Sequence, residues 1–303
     1  MRVFACFMLL IAFSLACMAV FTYPAWLLLH PHFNFPFQRI GERIGMLGFL
    51  IGFLLIARRL RLGDRVSLGF GAPRRVYLRE YGIALLIGTL TMSLVVASMA
   101  ALGLLDWQPA ARYGAGALAA LIAKRLLSGV AVGLIEETAL RGVMFAGIQR
   151  ESGTLIAIAL TSIIFAATHF LGVAHIPADA VTPWSGVTVL HGTLRAFEDP
   201  LGNADAFLCL TAVGVVLANV RAITGNTSAS MGLHAGWVWV MLVVHGLSRP
   251  NITSPLSFLL SHHDGFTGWL VLAWAVVLGW GLARFYSART RAPDGATVQP
   301  RGA

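Results

Sequence analysis

Long apolar blocks alternate with short polar segments along the whole chain. Most blocks have the roughly 17–25 residues that a helix needs to cross a hydrocarbon core about 30 Å thick. A transmembrane barrel would instead show short segments that alternate between apolar and polar residues. The pattern therefore predicts an all-α, polytopic membrane bundle with about eight transmembrane helices. The eight predicted spans are 3–24, 41–57, 82–105, 117–148, 154–172, 205–222, 229–247 and 266–285.

Composition supports a membrane protein. Apolar residues make up 57% of the chain and charged residues only 12%, whereas a soluble domain carries about 25% charged residues. The net charge of +9 comes mainly from arginines in short loops beside the apolar spans. Arginines in such loops are explained by membrane topology, so we do not expect nucleic acid as a partner. Three cysteines without paired spacing, Cys6, Cys17 and Cys209, indicate neither a disulfide framework nor a cysteine metal site.

The charge distribution also predicts an orientation. The loop 58–80 holds seven arginines, and such loops lie on the cytoplasmic side. Alternation of the spans from this loop places both termini in the cytoplasm, and the arginine- and alanine-rich composition suggests a bacterial inner membrane. Segment 173–204 is too polar to cross the bilayer, so we expect it at the outer interface or folded back as a re-entrant cap.

The stretch GLIEETALRGVMF (133–145) places three charged residues inside an apolar span. Each charge at membrane depth costs about 2.5–3.5 kcal/mol on insertion scales. Glu137 and Arg141 are four residues apart and share a helix face, so we expect a structural ion pair. Glu136 points about 100° away. It is left as the candidate proton acceptor, because a carboxylate without a partner in low dielectric becomes a usable base.

Two histidines in later spans are candidate partners of Glu136. His169 follows Phe165 by four residues, and His234 follows the small-residue stretch GNTSASMG. A lone histidine on an apolar helix is more often a packed core residue than a functional one. Residue counting places His169 at the depth of Glu136 but His234 closer to the inner end. A submerged turn at 224–228, or a strong helix tilt, would bring His234 to the same depth.

Together these motifs resemble the CPBP family, the Abi-type intramembrane proteases that include the CAAX prenyl endopeptidases and bacteriocin-processing proteins. The resemblance rests on EExxxR at 136–141, FxxxH at 165–169 and the HxxxN motif that begins at His234. It divides the chain into four parts. These are N-terminal helices with the basic loop (1–110), a CPBP-like core (111–250), a last transmembrane hairpin (251–288) and a disordered tail (289–303).

The resemblance implies an intramembrane endopeptidase with a central polar cavity that acts on membrane-associated peptides or proteins. Glu136 would activate water, assisted by His169 and His234, while Glu137 and Arg141 would brace the helix and Phe165 would support His169. A metal-free glutamate mechanism is favoured, so no metal ligand is assigned. In the alternative mechanism, Glu136, His169 and His234 would hold zinc and its water. In a bacterium, leader peptides or pheromones are more suitable substrates than prenylated proteins.

One position departs from the family pattern. Val238 stands where the motif expects Asn, whose amide could stabilise the developing oxyanion, and loss of one such donor can cost about 10²–10³ in rate. Asn219, Asn226, Trp237 or Trp239 could supply a replacement donor. A non-catalytic membrane protein that binds peptides for immunity or signalling is therefore the alternative function, and a transporter is a third.

Overall fold

The computed structural model describes residues 1–109, 114–172 and 174–291. Its last helix continues to Arg291, and the rest of the predicted tail lies outside these ranges. The helices are α1 (Arg2–Leu29), α2 (Phe37–Arg59), α3 (Arg74–Ala101), α4 (Ala115–Glu137), α5 (Phe145–Ser152), α6 (Thr154–Thr168), α7 (Ser185–Leu194), α8 (Ala204–Thr224), α9 (Ser228–Leu247) and α10 (Trp269–Arg291).

The predicted all-α polytopic architecture is confirmed. Within the described ranges, seven helices are long and apolar enough to cross a membrane. The remaining predicted span, 154–172, is the shorter helix α6, which ends at Thr168. The described residues also form a small antiparallel sheet, in which β1 (Leu105–Trp107) pairs with β2 (Ser248–Pro250).

Helix α9 lies between α3 and α4 and approaches both closely through glycines. A Cβ atom at Gly236 would lie 2.7 Å from the Leu85 carbonyl oxygen of α3. A Cβ atom at Gly129 of α4 would lie 2.7 Å from the Ala235 carbonyl oxygen of α9. In a membrane, small residues allow the helix backbones to pack directly against each other. This packing fixes the position of His234 relative to α4.

We expect Gly236→Ala to destabilise the bundle by about 1–3 kcal/mol, because the added methyl group overpacks the contact between α9 and α3. Gly82→Ala in α3 is the matched control, since a Cβ atom there meets nothing within 4 Å. The control should be neutral or slightly stabilising, because alanine is the better helix former. Thermal unfolding of both variants in detergent would show the difference, and equal midpoints would contradict this packing argument.

The chain segments predicted to lie in the cytoplasm gather at one end of the bundle. The Met1 amino group lies 2.7 Å from a Glu151 carboxylate oxygen. Arg150 donates a hydrogen bond to the Ser67 hydroxyl at 2.6 Å, and Arg289 donates one to Glu80 at 2.8 Å. These contacts agree with the predicted alternation of the spans.

The basic loop 60–73 reaches into this end of the bundle and covers the turn between α8 and α9. A Cβ atom at Gly142 would lie 2.5 Å from the Leu68 carbonyl oxygen. The Thr227 backbone N–H donates to the Gly69 carbonyl at 3.0 Å, and the Thr227 hydroxyl donates to the same oxygen at 3.1 Å. The loop thus covers the α8–α9 turn, which is compatible with a submerged turn, one of the two alternatives given above.

The described part of segment 173–204, residues 174–204, folds back against the first two helices. Its helix α7 contacts α1 and α2, and Gly186 lies so close to the Ala19 carbonyl of α1 that a Cβ atom would overlap it. Ala19 precedes the end of α1 at Leu29 by ten residues, which is about 15 Å of helix. This contact agrees with the re-entrant alternative for the segment.

Candidate active site

The EExxxR motif lies where helix α4 changes into a π-helix. The α-helix ends at Glu137, and the π-helix covers Thr138–Met144 before α5 begins. Such π-helical turns are rare and are frequently found at functional sites. The Arg221 side chain of α8 donates from Nε to the Arg141 carbonyl oxygen at 3.1 Å. This long-range hydrogen bond ties the altered turn to α8.

The predicted ion pair within the motif is confirmed. Arg141 Nη1 lies 3.2 Å from Glu137 Oε1, and both side chains are completely buried. Arg141 Nη2 also donates to the Gly214 carbonyl of α8 at 3.2 Å. The guanidinium group lies over the Phe165 ring, 4.5 Å from its centre. The arginine therefore links α4, α6 and α8, and its charge is balanced inside the bundle.

His234 contacts Glu137 rather than Glu136. Its Nδ1 lies 3.0 Å from Glu137 Oε1, and because a carboxylate oxygen can only accept, Nδ1 carries the proton. Glu137 Oε1 thus accepts a hydrogen bond from His234 and forms an ion pair with Arg141. This carboxylate orients a histidine in addition to bracing the helix, a role that the sequence did not indicate.

Glu136 has no such partners. Its side chain is half-buried, and its Oε2 atom is buried without a hydrogen-bond partner among the described residues. Glu136 is close enough to Arg141 for an electrostatic interaction. The two adjacent glutamates thus occupy different environments, as their positions on the helix predicted.

His169 lies just beyond the end of α6, not inside a span that continues to residue 172. Its Nδ1 donates to the Phe165 carbonyl at 2.7 Å, which leaves Nε2 as an unprotonated acceptor. The Phe165 ring lies between the two histidines, with its centre 4.5 Å from that of His169 and 5.6 Å from that of His234. Phe165 therefore positions both imidazoles.

The two histidines line one cavity of about 110 Å³. Glu136 is not among its lining residues, so the structure brings together His169 and His234 but not all three predicted catalytic groups around this space. Most of the wall is apolar and is formed by α3, α6, α8, α9 and α10. Its ionisable and hydroxyl-bearing residues are His169, His234, Asp264 and Thr267.

Comparison with protein families agrees with these motifs. The model of the Rce1-like family, described as type II CAAX prenyl endopeptidase, matches residues 117–240. Residues 117–240 form an Rce1-like segment. The resemblance to the CPBP family is thereby confirmed, and an intramembrane endopeptidase is supported at the level of the family. No curated protein and no solved structure matches the chain at the significance required.

The Rce1-like segment carries Val238 in place of the expected asparagine, and Val238 lines the cavity. The proposed replacement donors have other partners. The Trp237 indole donates to the Thr91 hydroxyl at 2.9 Å, and the Trp239 indole donates to the Ile122 carbonyl at 3.1 Å. Asn226 caps the start of α9 by accepting from the Ser228 backbone at 3.0 Å. Of the suggested residues, only Asn219 has a side chain that makes no hydrogen bond to another described residue.

The ligand set of the alternative zinc mechanism does not fit this arrangement. Nε2 of both histidines is available, but Glu136, the third member of the set, lies outside the cavity that the histidines line. In residues 1–109, 114–172 and 174–291, no three His, Cys, Asp or Glu side chains converge closely enough to hold a metal ion. Zinc sites need at least three protein ligands.

Two site residues outside the Rce1-like segment were missed by sequence reasoning. His263 Nε2 donates to the His169 carbonyl at 3.3 Å, and its ring stacks on Phe170 at 4.4 Å. Asp264 lines the cavity itself. No local signal predicts a contact between residues this far apart in sequence. His175, a further histidine six residues after His169, is exposed, and its Nδ1 lies 2.7 Å from Gln38 Nε2. His175 is not among the residues that line the cavity.

Proposed function

We propose that this protein is an intramembrane endopeptidase that hydrolyses peptide bonds in membrane-associated peptides or proteins, with Glu136 as the base that activates water. The observation that carries the proposal is that the two adjacent glutamates, Glu136 and Glu137, differ in their bonding partners. The Oε2 atom of each glutamate is buried without a hydrogen-bond partner. Glu137, however, forms an ion pair with Arg141 and a hydrogen bond with His234 through Oε1, whereas Glu136 has neither kind of partner among the described residues. Only a carboxylate with a free lone pair can accept a proton from water.

His169 and His234 are the proposed assistants of Glu136, although Glu136 does not line the cavity that they share. Both imidazoles have Nδ1 engaged and Nε2 free, so each can accept a hydrogen bond from water or take up a proton. Water attacks the peptide carbonyl as its proton passes to Glu136, and the proton then reaches the leaving amine through Glu136 or an imidazole. General acid–base catalysis of this kind contributes about 10²–10⁴-fold.

Hydrolysis in proteoliposomes tests the proposal. The wild-type protein is incubated with a library of membrane-anchored peptides in oxygen-18-labelled water, and the products are analysed by mass spectrometry. We expect new carboxyl termini that carry one labelled oxygen, because water supplies the attacking group. Absence of any cleaved peptide across the library would refute the endopeptidase function.

The proposed mechanism uses no metal. We expect activity to survive dialysis against a strong chelator, with a change of less than about twofold, because Glu136 rather than a bound metal is the proposed activator of water. Elemental analysis of the dialysed sample provides the control for metal removal. Loss of activity that added zinc restores would contradict the metal-free mechanism.

A non-catalytic, peptide-binding function is the second candidate, and Val238 is the observation that favours it. If the protein is an enzyme that lacks one oxyanion donor, Val238→Asn should raise kcat about 10-fold or more, because one such donor can contribute about 10²–10³. Val240→Asn in the same helix, two residues further on, is the control for an added amide. Binding of peptides by both variants and the wild type without cleavage would favour the second candidate.

A further inference from the structure

The cavity that His169 and His234 line has one carboxylate among its described lining residues, and this carboxylate belongs to Asp264. It lies in the connection between β2 and α10, beyond the end of the Rce1-like segment. It shares the cavity with His169 and His234 although it is separated from both in sequence. This position gives a residue outside the matched segment direct access to the cavity that the two proposed catalytic histidines line.

Local hydrogen bonds hold this carboxylate in place. Asp264 Oδ1 accepts from the backbone N–H groups of Phe266 at 2.9 Å and Thr267 at 2.8 Å. Asp264 Oδ2 accepts from the Thr267 hydroxyl at 2.7 Å. A carboxylate has about four acceptor sites, so these three bonds fix its orientation and leave Oδ2 able to accept one more donor.

The cavity offers acceptors and negative charge without a balancing cation. No Lys or Arg is among its described lining residues, and Asp264 forms no ion pair within the part of the chain that the structure describes. The two imidazoles add free Nε2 acceptors. A volume of about 110 Å³ is of the order of an engineered cavity of about 150 Å³ that holds benzene, so a single side chain is of suitable size.

We propose that Asp264 determines specificity by binding a basic side chain, of lysine or arginine, in an otherwise apolar membrane peptide. The inference rests on the proposed endopeptidase function and names its substrate class. The long apolar stem of such a side chain can pack along the cavity wall while its cationic end meets the carboxylate. Because a charge pair strengthens in low dielectric, we expect about a 10- to 100-fold preference in kcat/KM.

The test uses three membrane-anchored peptides that differ at one position beside the cleaved bond, where they carry Lys, Gln or Glu. Peptide sets with the substituted position on either side of the bond cover both directions of binding. Wild-type protein should cleave the Lys peptide about 10-fold or more faster than the Gln peptide, and the Glu peptide should be the slowest. In Asp264→Ser the Lys and Gln peptides should be cleaved at similar rates, because serine keeps an oxygen for the turn but carries no charge.

Asp199→Ser is the matched control. Asp199 also caps a turn, by accepting from the Gly202 backbone at 2.9 Å, but it does not line the cavity. The control should keep the preference for lysine. The wild-type comparison needs no variant, so equal cleavage of the Lys and Gln peptides by the wild type overturns the inference even if Asp264→Ser does not fold. A preference that persists in folded Asp264→Ser also overturns it. Cleavage of no peptide at all would instead refute the proposed function, and with it this inference.

Discussion

Glu136→Gln is expected to lower the peptide-cleavage rate by at least about 10²–10³-fold while leaving the folded protein unchanged. Glutamine has nearly the same shape but cannot accept a proton from water, so the loss corresponds to general base catalysis. Glu136 makes no hydrogen bond or ion pair in the described structure. Its substitution therefore removes no hydrogen bond or ion pair of the bundle, and the Arg141 guanidinium keeps Glu137 as its ion-pair partner.

Initial rates in proteoliposomes and thermal midpoints in detergent measure the two effects separately. Glu198→Gln is a suitable control, because Glu198 is 58% exposed and pairs only with His191. It should retain both activity and stability. If Glu136→Gln cleaved as fast as the wild type, Glu136 would not be the base.

Arg141→Met should have the largest effect on stability, with a loss of about 3–5 kcal/mol. This is the cost of breaking a buried ion pair when one charge stays behind. The substitution would leave the buried Glu137 carboxylate with His234 as its remaining partner. It would also remove the hydrogen bond to the Gly214 carbonyl and the contact with the Phe165 ring.

A double variant distinguishes the charge from the packing. Glu137→Gln combined with Arg141→Met leaves no unpaired charge, so it should recover part of the stability that Arg141→Met loses. Arg195→Met is the control, because Arg195 is an exposed residue outside the site. Chemical unfolding of all variants in detergent provides the comparison. A loss below about 1 kcal/mol for Arg141→Met would contradict the bracing role of the pair.

The membrane architecture could be predicted because the length of an apolar block is a direct consequence of bilayer thickness. The Glu137–Arg141 pair could be predicted as well, since residues four apart on a helix share a face. The π-helix at 138–144 could not be predicted. Its contacts include residues distant in sequence, such as Arg221, which donates a hydrogen bond to the Arg141 carbonyl.

The contact between His234 and Glu137 could not be predicted from the sequence for a different reason. Counting residues from the end of a span gives depth only when the connecting turns lie at the membrane surface. Here the backbone around Gly69 lies over the α8–α9 turn and receives two hydrogen bonds from Thr227. The position of Asp264 in the cavity wall could not be predicted either, because only the tertiary fold brings its loop close to His169 and His234.

The central claim is that the two adjacent glutamates have separate roles, Glu136 in catalysis and Glu137 in structure. Its most direct test is a comparison of Glu136→Gln and Glu137→Gln in one preparation, with cleavage rate and unfolding free energy measured for both. The account predicts that Glu136→Gln loses activity at unchanged stability, and that Glu137→Gln loses stability because it weakens the contacts with Arg141 and His234. Full activity in Glu136→Gln, or unchanged stability in Glu137→Gln, would contradict it.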